Sequence, residues 1–342
     1  MMKTMLPPLT QFRAVLRQHQ TRFLPRPWLN QTLTDFCQQH DRGYFTLVGA
    51  PGSGKSAWLA HLANTHPQSF YYCAQLPGTD DLDFAQRTLF EALQHLSDGN
   101  PEDSDGLSPL LQRASQTLSP GERLLLLLDA VDAIDTRPQP PGSNRLYLPR
   151  YLPPGVYVVL SRRPVPPGRA GLLVESPAQT LDLSQFGQLC RQDVRRFLLR
   201  ELQRGEGAIA PWLNRHQMTA ETAATSLSDY CNGNFAVAHH LLQDLRQGVD
   251  LAPDGQLSPH LIAAYGDLWD DMAADAEIVQ QLQGDGATVE DIAQRLDADE
   301  FDVQCALDRL TPYLHHQNQA DGSHYGLFHP SFGAFVAQRT GE

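Results

Sequence analysis

Cysteine is scarce and scattered in this chain: Cys37, Cys73, Cys190, Cys231 and Cys305 stand far apart, with no C-x-x-C pair among them. Such spacing suggests neither a disulfide framework nor a zinc site, and it fits a reducing, cytoplasmic location. Long apolar runs are also missing. The longest uninterrupted leucine run covers only Leu124 to Leu128, and the N-terminal MMKTMLPPLTQF has no apolar stretch of signal-peptide length. No membrane span and no signal peptide are predicted. Positive charge is in short supply too, with 26 Lys and Arg against 39 Asp and Glu, a formal net charge of −13. That balance argues against broad electrostatic binding to DNA, RNA or an anionic membrane. The densest basic stretch, RQDVRRFLLRELQR at 191–204, places Val194, Phe197, Leu198 and Leu202 at helical spacing with arginines largely between them. It reads as the solvated face of a helix.

What remains is globular composition, 41% hydrophobic and 19% charged over 342 residues, enough for two or three small domains. Three short, almost continuous apolar runs, YFTLVG, RLLLLLD and GVYVVLS, read as strands buried on both faces. Amphipathic stretches at 82–96 and 107–118 lie between them. The alternation predicts an α/β fold, a doubly wound parallel sheet. Two Pro/Gly-rich loops, 97–106 and 135–145, are expected to be solvent-exposed and mobile. Beyond about residue 184 the pattern is helical. GQLSP at 255–259 marks another boundary, after which two short helices, TVEDIAQRL and FDVQCALDRL, precede a hairpin around ADGS. Helix, turn, helix, hairpin is a winged-helix pattern. The expected division is thus an N-terminal helical segment at 1–40, a nucleotide domain at 41–180, a helical domain at 181–254 and a winged-helix domain at 255–342.

The nucleotide assignment comes from TLVGAPGSGKSAWLAHLAN, which contains G-x-x-x-x-G-K-[ST] at Gly49, Gly54, Lys55 and Ser56, between a strand and an amphipathic helix. That is the context a phosphate-binding loop requires. With Gly52, the glycines let backbone N–H groups point into one cavity at a helix N-terminus. Lys55 would reach the β- and γ-phosphates of ATP, and Ser56 would hold Mg²⁺. An acid must also end another buried strand to orient the metal, and LLLLLDAVDA supplies Asp129. Asp132, three residues on, stands where it would orient or deprotonate the attacking water, though a helix cap would use the same residue. The next strand ends in Ser161, Arg162 and Arg163, and an arginine there would sense the γ-phosphate. His315, His316, His324 and His329 cluster near the C-terminus without a carboxylate or cysteine at ligand spacing.

LLLDAVDA followed by LPPGVYVVLSRRP resembles the STAND class of signalling ATPases, and within it the bacterial NACHT-type proteins. TRFLPRPWL is similar to the family's FVGRxxxL motif, with Phe23 and Arg26 in the matching positions; CNGNFAVAHHLL resembles its GNF or GxP segment, and YGLFHPSFGAFV its winged-helix motif. The resemblance covers nearly the whole chain. It implies a monomer closed on ADP that exchanges it for ATP, assembles into a homo-oligomer and activates an effector, in bacteria often for antiviral defence. It also implies Arg26 on the adenine side, Lys55 and Ser56 at the phosphates, Asp129 at Mg²⁺, Asp132 at the water and Arg163 at the γ-phosphate. His329 would touch the ADP β-phosphate, or serve simply as a strand-end histidine. Ala130 and Ala133 stand where the family has glycine and glutamate, which implies slow turnover. No effector domain and no sensor array are recognised, so the chain reads as a switch module or as a minimal relative with separate partners.

Two other classes fit part of the pattern. An AAA+-like initiator would bind DNA through the winged helix, but TVEDIAQRLDADEFDVQCALDRL carries seven acids against Arg295 and Arg309. A P-loop kinase or transferase would use the loop and the acid but leave the helical and winged-helix parts without a purpose.

Overall fold

The three apolar runs are strands buried along their length, as their near-absence of polar residues requires of a sheet covered on both faces. The structure, a computed structural model, describes residues 10–96, 106–140, 142–165, 172–284, 286–319 and 322–341. By internal contacts the chain falls into two units, one of Met1–Val48, Lys55–Arg163 and Pro167–Asp182, the other of Gly49–Gly54, Pro164–Pro166 and Leu183–Glu342.

The first unit is built on β1 (Gly43–Val48), β2 (Ser69–Cys73), β3 (Leu124–Asp129), β4 (Val156–Arg162) and β5 (Ala178–Asp182). They form one all-parallel sheet in the order β2-β3-β4-β1-β5. Its helices are α1 (Thr10–Thr21), α2 (Pro27–Gln39), α3 (Lys55–Thr65), α4 (Leu82–Leu96) and α5 (Leu107–Gln116). Two strands lie outside the three expected ones. β2, SFYYC, is five residues long and its hydrophobicity is aromatic rather than aliphatic. β5, AQTLD, is an edge strand that buries only Leu181, so it carries no apolar run. Phe12 of α1 packs edge-on against Tyr71 and Tyr72, with centroids 6.1 and 5.3 Å apart, so the aromatic rings of β2 bury the first helix. The loop at 135–145 is exposed at Arg137, Pro138, Pro140 and Gly142 but departs from expectation at its far end. Its Asn144 is buried, donates to the carbonyls of Leu148 and Leu173 at 2.8 and 2.9 Å and accepts from the Leu173 N–H, so that end is anchored. Of the loop at 97–106, only Gly106 falls within the described residues.

The second unit contains α6 (Gly187–Arg204), α7 (Ile209–Arg215), α8 (Ala220–Cys231), α9 (Phe235–Gln247) and α10 (Pro259–Asp270). After them come α11 (Ala276–Gln281), α12 (Val289–Leu296), α13 (Glu300–Leu310), β6 (Leu314–Gln319), β7 (Gly322–Leu327) and α14 (Pro330–Thr340). In α6 the residues Val194, Phe197, Leu198 and Leu202 are buried while Arg191, Arg195, Arg196 and Arg204 are exposed, the distribution of a solvated basic face. Buried Glu201 accepts from Arg200, Arg204 and Arg246 at 2.8–3.0 Å, which satisfies a charge that burial would otherwise make costly. A capping box on Thr288 and Asp291 starts α12, and Asp299 caps α13. β6 and β7 pair antiparallel, and Ala287 adds an isolated bridge to Tyr325. Ala320 and Asp321 of the expected turn lie outside the described residues.

No described helix is long and apolar enough to cross a membrane. The centre of the sheet is the unit's most demanding packing site. Leu126→Ala, at a fully buried position in β3, is expected to lower the unfolding free energy by about 2–5 kcal/mol. Urea denaturation followed by tryptophan fluorescence, to which Trp58 contributes, reads that loss.

Candidate functional site

The carboxyl ends of β1, β3, β4 and β5 each deliver a polar group, as expected where parallel strands end and helices begin. β1 runs into the loop Gly49–Gly54 and so to Lys55, β3 ends in Asp129, β4 in Ser161 and Arg162, and β5 in Asp182. Lys55 is the first residue of α3 and is 9% exposed. Burial pulls its ammonium down to about 8, opposed by the nearby carboxylates of Asp132, Asp129 and Asp182 and reinforced by Arg163. The cation is thus held away from water with acids on several sides.

Asp129 is fully buried, and both of its oxygens accept hydroxyl protons. Ser161 donates to one, and Tyr71 of β2 donates to the other at 3.1 Å. Ser161 in turn accepts from the Ala130 N–H at 2.9 Å, where the chain turns left-handed at φ 55°. Asp132 lies in the 3₁₀ turn that follows and forms an ion pair with Arg163 at 2.6 Å, while the Arg163 N–H donates to its other oxygen at 3.1 Å. The candidate metal donors, the Ser56 hydroxyl and the Asp129 carboxylate, are both hard oxygen ligands and fit Mg²⁺ completed by water and phosphate. Arg26 caps the start of α2, is 2% exposed, and lies over the Trp28 ring at 5.2 Å.

The loop itself keeps Gly52 and Gly54 at φ +78° and +86°, conformations that side chains other than glycine adopt only with strain. Its contacts lie within the second unit, to which it belongs. Asn234 donates to the Pro51 carbonyl at 2.9 Å, and the Phe235 N–H to the Gly52 carbonyl at 2.8 Å. His329, expected either at a phosphate or as a strand-end residue, is the N-cap of α14 and is 1% exposed. Its Nε2 faces the Cys231 carbonyl at 2.9 Å and its Nδ1 faces Ser331 Oγ at 2.6 Å, so both ring nitrogens are engaged within the unit.

The first unit therefore brings Lys55, Asp129, Asp132 and Arg163 together as a charge cluster, while Arg26 sits at the head of α2 and His329 belongs to the second unit. Three participants were not anticipated in these roles: Tyr71 and Ser161 on Asp129, and Asp182 near Lys55. Recognition of β2 and β5 would have exposed Tyr71 and Asp182. Among the described residues no group of three or more His, Cys, Asp or Glu is arranged to hold a metal by itself.

Residues 38–148 match the model of an AAA domain. No curated protein is matched by the sequence. Among solved structures the chain is similar to a Walker-type ATPase of Pyrococcus abyssi, at 14% identity and TM-score 0.60, covering 92% of this chain and 96% of that one. A STAND protein with a tetratricopeptide-repeat sensor from Pyrococcus horikoshii is similar at 12% identity and TM-score 0.38, covering 99% of this chain but 44% of that one. Drosophila ORC bound to DNA is similar at 14% identity and TM-score 0.33, covering 96% of this chain and 98% of that one. At those two lower scores the likeness adds nothing to the fold assignment. The parallel sheet, the loop and the AAA match together make this a P-loop NTPase fold, whose family implies a nucleotide and usually Mg²⁺.

Burial pushes the His329 imidazole down to about 4. Between that value and the ordinary 6.5 the unfolded chain binds a proton that the folded chain does not, so stability is lost as pH falls through this window and levels off below it. Between pH 7 and pH 5 the wild type is expected to lose roughly 2 kcal/mol more unfolding free energy than His329→Gln, measured by urea denaturation at the two pH values.

Proposed function

We propose that the chain is an ATP/ADP-binding switch of the STAND/NACHT type, closed with ADP and assembling with ATP to relay a signal to an effector. The observation that carries this reading is Lys55, a buried cation at the end of a glycine loop with Asp129 and Asp132 beside it. Loop amides of Gly49, Gly52 and Gly54 and the Lys55 ammonium bind the phosphates. Ser56 and Asp129 would hold Mg²⁺, which would supply charge neutralisation at the phosphates. Arg26 would lie on the adenine side, as the sequence resemblance implies.

Slow hydrolysis follows from how the acids are held. Asp132 must leave Arg163 before it can orient water, and Arg163 must leave Asp132 before it can sense a γ-phosphate. The ion pair thus makes one rearrangement the condition for both roles. Turnover on the order of 10⁻⁴–10⁻² s⁻¹ is the range of nucleotide switches without a partner's help. The order of the C-terminal elements supports a winged helix, and its exposed acids Glu290, Asp297, Asp299, Glu300 and Asp302 speak against DNA as its partner. Homo-oligomerisation, separate sensor and effector partners and a place in bacterial defence rest on the sequence resemblance.

Acid extraction of the untreated, purified protein followed by chromatography tests the reading. Near-stoichiometric ADP is expected in the wild type, with Lys55→Ala binding nucleotide roughly 100-fold more weakly and carrying none. An empty wild-type site with rapid ATP turnover on addition would overturn it.

A further inference from the structure

We propose that Asn234 sets the phosphate loop in its binding shape and that His329 holds Asn234 in place. The consequence for nucleotide rests on the reading above, whereas the clamp itself is formed by residues of the second unit.

Asn234 is 6% exposed and does two jobs with one amide. Its Oδ1 accepts from the Ala236 and Val237 N–H groups at 3.0 and 3.2 Å, which caps α9. Serine, threonine or aspartate would cap as well. An amide alone among these carries its donor on a separate atom from the capping oxygen, and here Nδ2 donates to the Pro51 carbonyl at 2.9 Å. The Phe235 and Ala236 N–H groups donate to the Gly52 carbonyl at 2.8 and 3.3 Å, so the first turn of α9 is directed at the loop. The fit leaves no room for a side chain at position 52: a Cβ on Gly52 would stand 2.2 Å from Asn234 Oδ1 and 2.7 Å from Ala236 Cβ. Because a trans peptide is planar, turning the Pro51 carbonyl towards Asn234 turns the Gly52 N–H to the opposite side of the loop. The clamp therefore fixes which way a phosphate-binding amide points.

His329 reaches the clamp through one atom. The Cys231 carbonyl accepts from both the Asn234 N–H at 2.8 Å and His329 Nε2 at 2.9 Å. Nε2 facing a carbonyl must carry the proton, which leaves Nδ1 to accept from the Ser331 N–H at 3.1 Å and from Ser331 Oγ at 2.6 Å. Ser331 Oγ is itself 2.6 Å from the Tyr265 hydroxyl. Between Cys231 and Asn234 the chain turns left-handed at Asn232 and Gly233, and a Cβ at Gly233 would lie 3.1 Å from Cys190 Cβ on α6. A continuous line of contacts thus runs from α10 and α14 to the loop, and movement of α14 would be felt at Gly52.

The test uses the full chain after phosphatase treatment to remove nucleotide. Hydrogen exchange across 50–54 and 231–236 is compared in wild type, Asn234→Asp, His329→Ala and His329→Gln, and binding is read with fluorescent MANT-ADP. Asn234→Asp keeps the cap and sets a carboxylate against the Pro51 carbonyl. It is expected to unfold at a temperature close to wild type, exchange the loop amides about 10-fold faster and bind MANT-ADP about 10-fold more weakly. His329→Ala is expected to speed exchange in both segments, and His329→Gln, whose amide can donate to Cys231, to restore the loop. Wild-type exchange in the Asn234→Asp loop, or faster exchange at 231–236 in His329→Ala that never reaches 50–54, would overturn the clamp. If wild type itself fails to bind MANT-ADP, the switch reading falls while the exchange comparison still decides the clamp.

Discussion

A lysine ammonium at the head of α3, almost removed from water, is the constraint around which the first unit is arranged. Burial of an uncompensated charge is costly, so the fold must supply opposite charge nearby. It does so from the ends of separate strands: Asp129 closes β3, Asp132 lies in the turn beyond it, and Asp182 closes β5. Parallel topology makes this convergence inexpensive in backbone terms, because every strand finishes on the same side of the sheet. A nucleotide would replace part of that acidic environment with phosphate, and binding and electrostatic relief would then be the same event.

The acids are themselves restrained. Ser161 and Tyr71 hold Asp129 from the neighbouring strands, and Arg163 holds Asp132. Each contact stabilises a ligand-free arrangement and must adjust when Mg²⁺ and phosphate arrive. Under the proposed switch reading, these rearrangements would slow hydrolysis. Within the second unit, the loop is restrained by the first turn of α9.

Much of this was legible in the residues. Leucine after leucine in LLLLLD admitted only a buried strand, and the spacing from Gly49 to Ser56 fixed a loop between a strand and a helix. Asp129 follows from a strand end, whereas the end of β4 leaves Arg162 and Arg163 both open and only the resemblance singles out Arg163. β2 was missed because three aromatics in five residues do not form an aliphatic run, and β5 because an edge strand need bury only one residue. Tyr71 and Asp182 disappeared with them. The fate of His329 is undecided in the sequence, where it can face a ligand or simply end a strand; the structure makes it the N-cap of α14, with Ser331 close by in the chain and Cys231 far from it. Pairings such as Asn234 with Pro51 depend on tertiary packing that no local pattern encodes.

Only Lys3 and Lys55 are lysines, so the side-chain signal of Lys55 can be followed by NMR without crowding. Titration of its Cε and Nζ resonances with and without ADP and Mg²⁺ tests the central claim directly. The account predicts titration near 8 in the nucleotide-free protein, well below the ordinary 10.5, and a rise past that ordinary value when phosphate replaces the dry pocket. Titration at the ordinary value that ADP leaves unchanged would contradict it, because Lys55 would then be neither buried as a charge nor a ligand for phosphate.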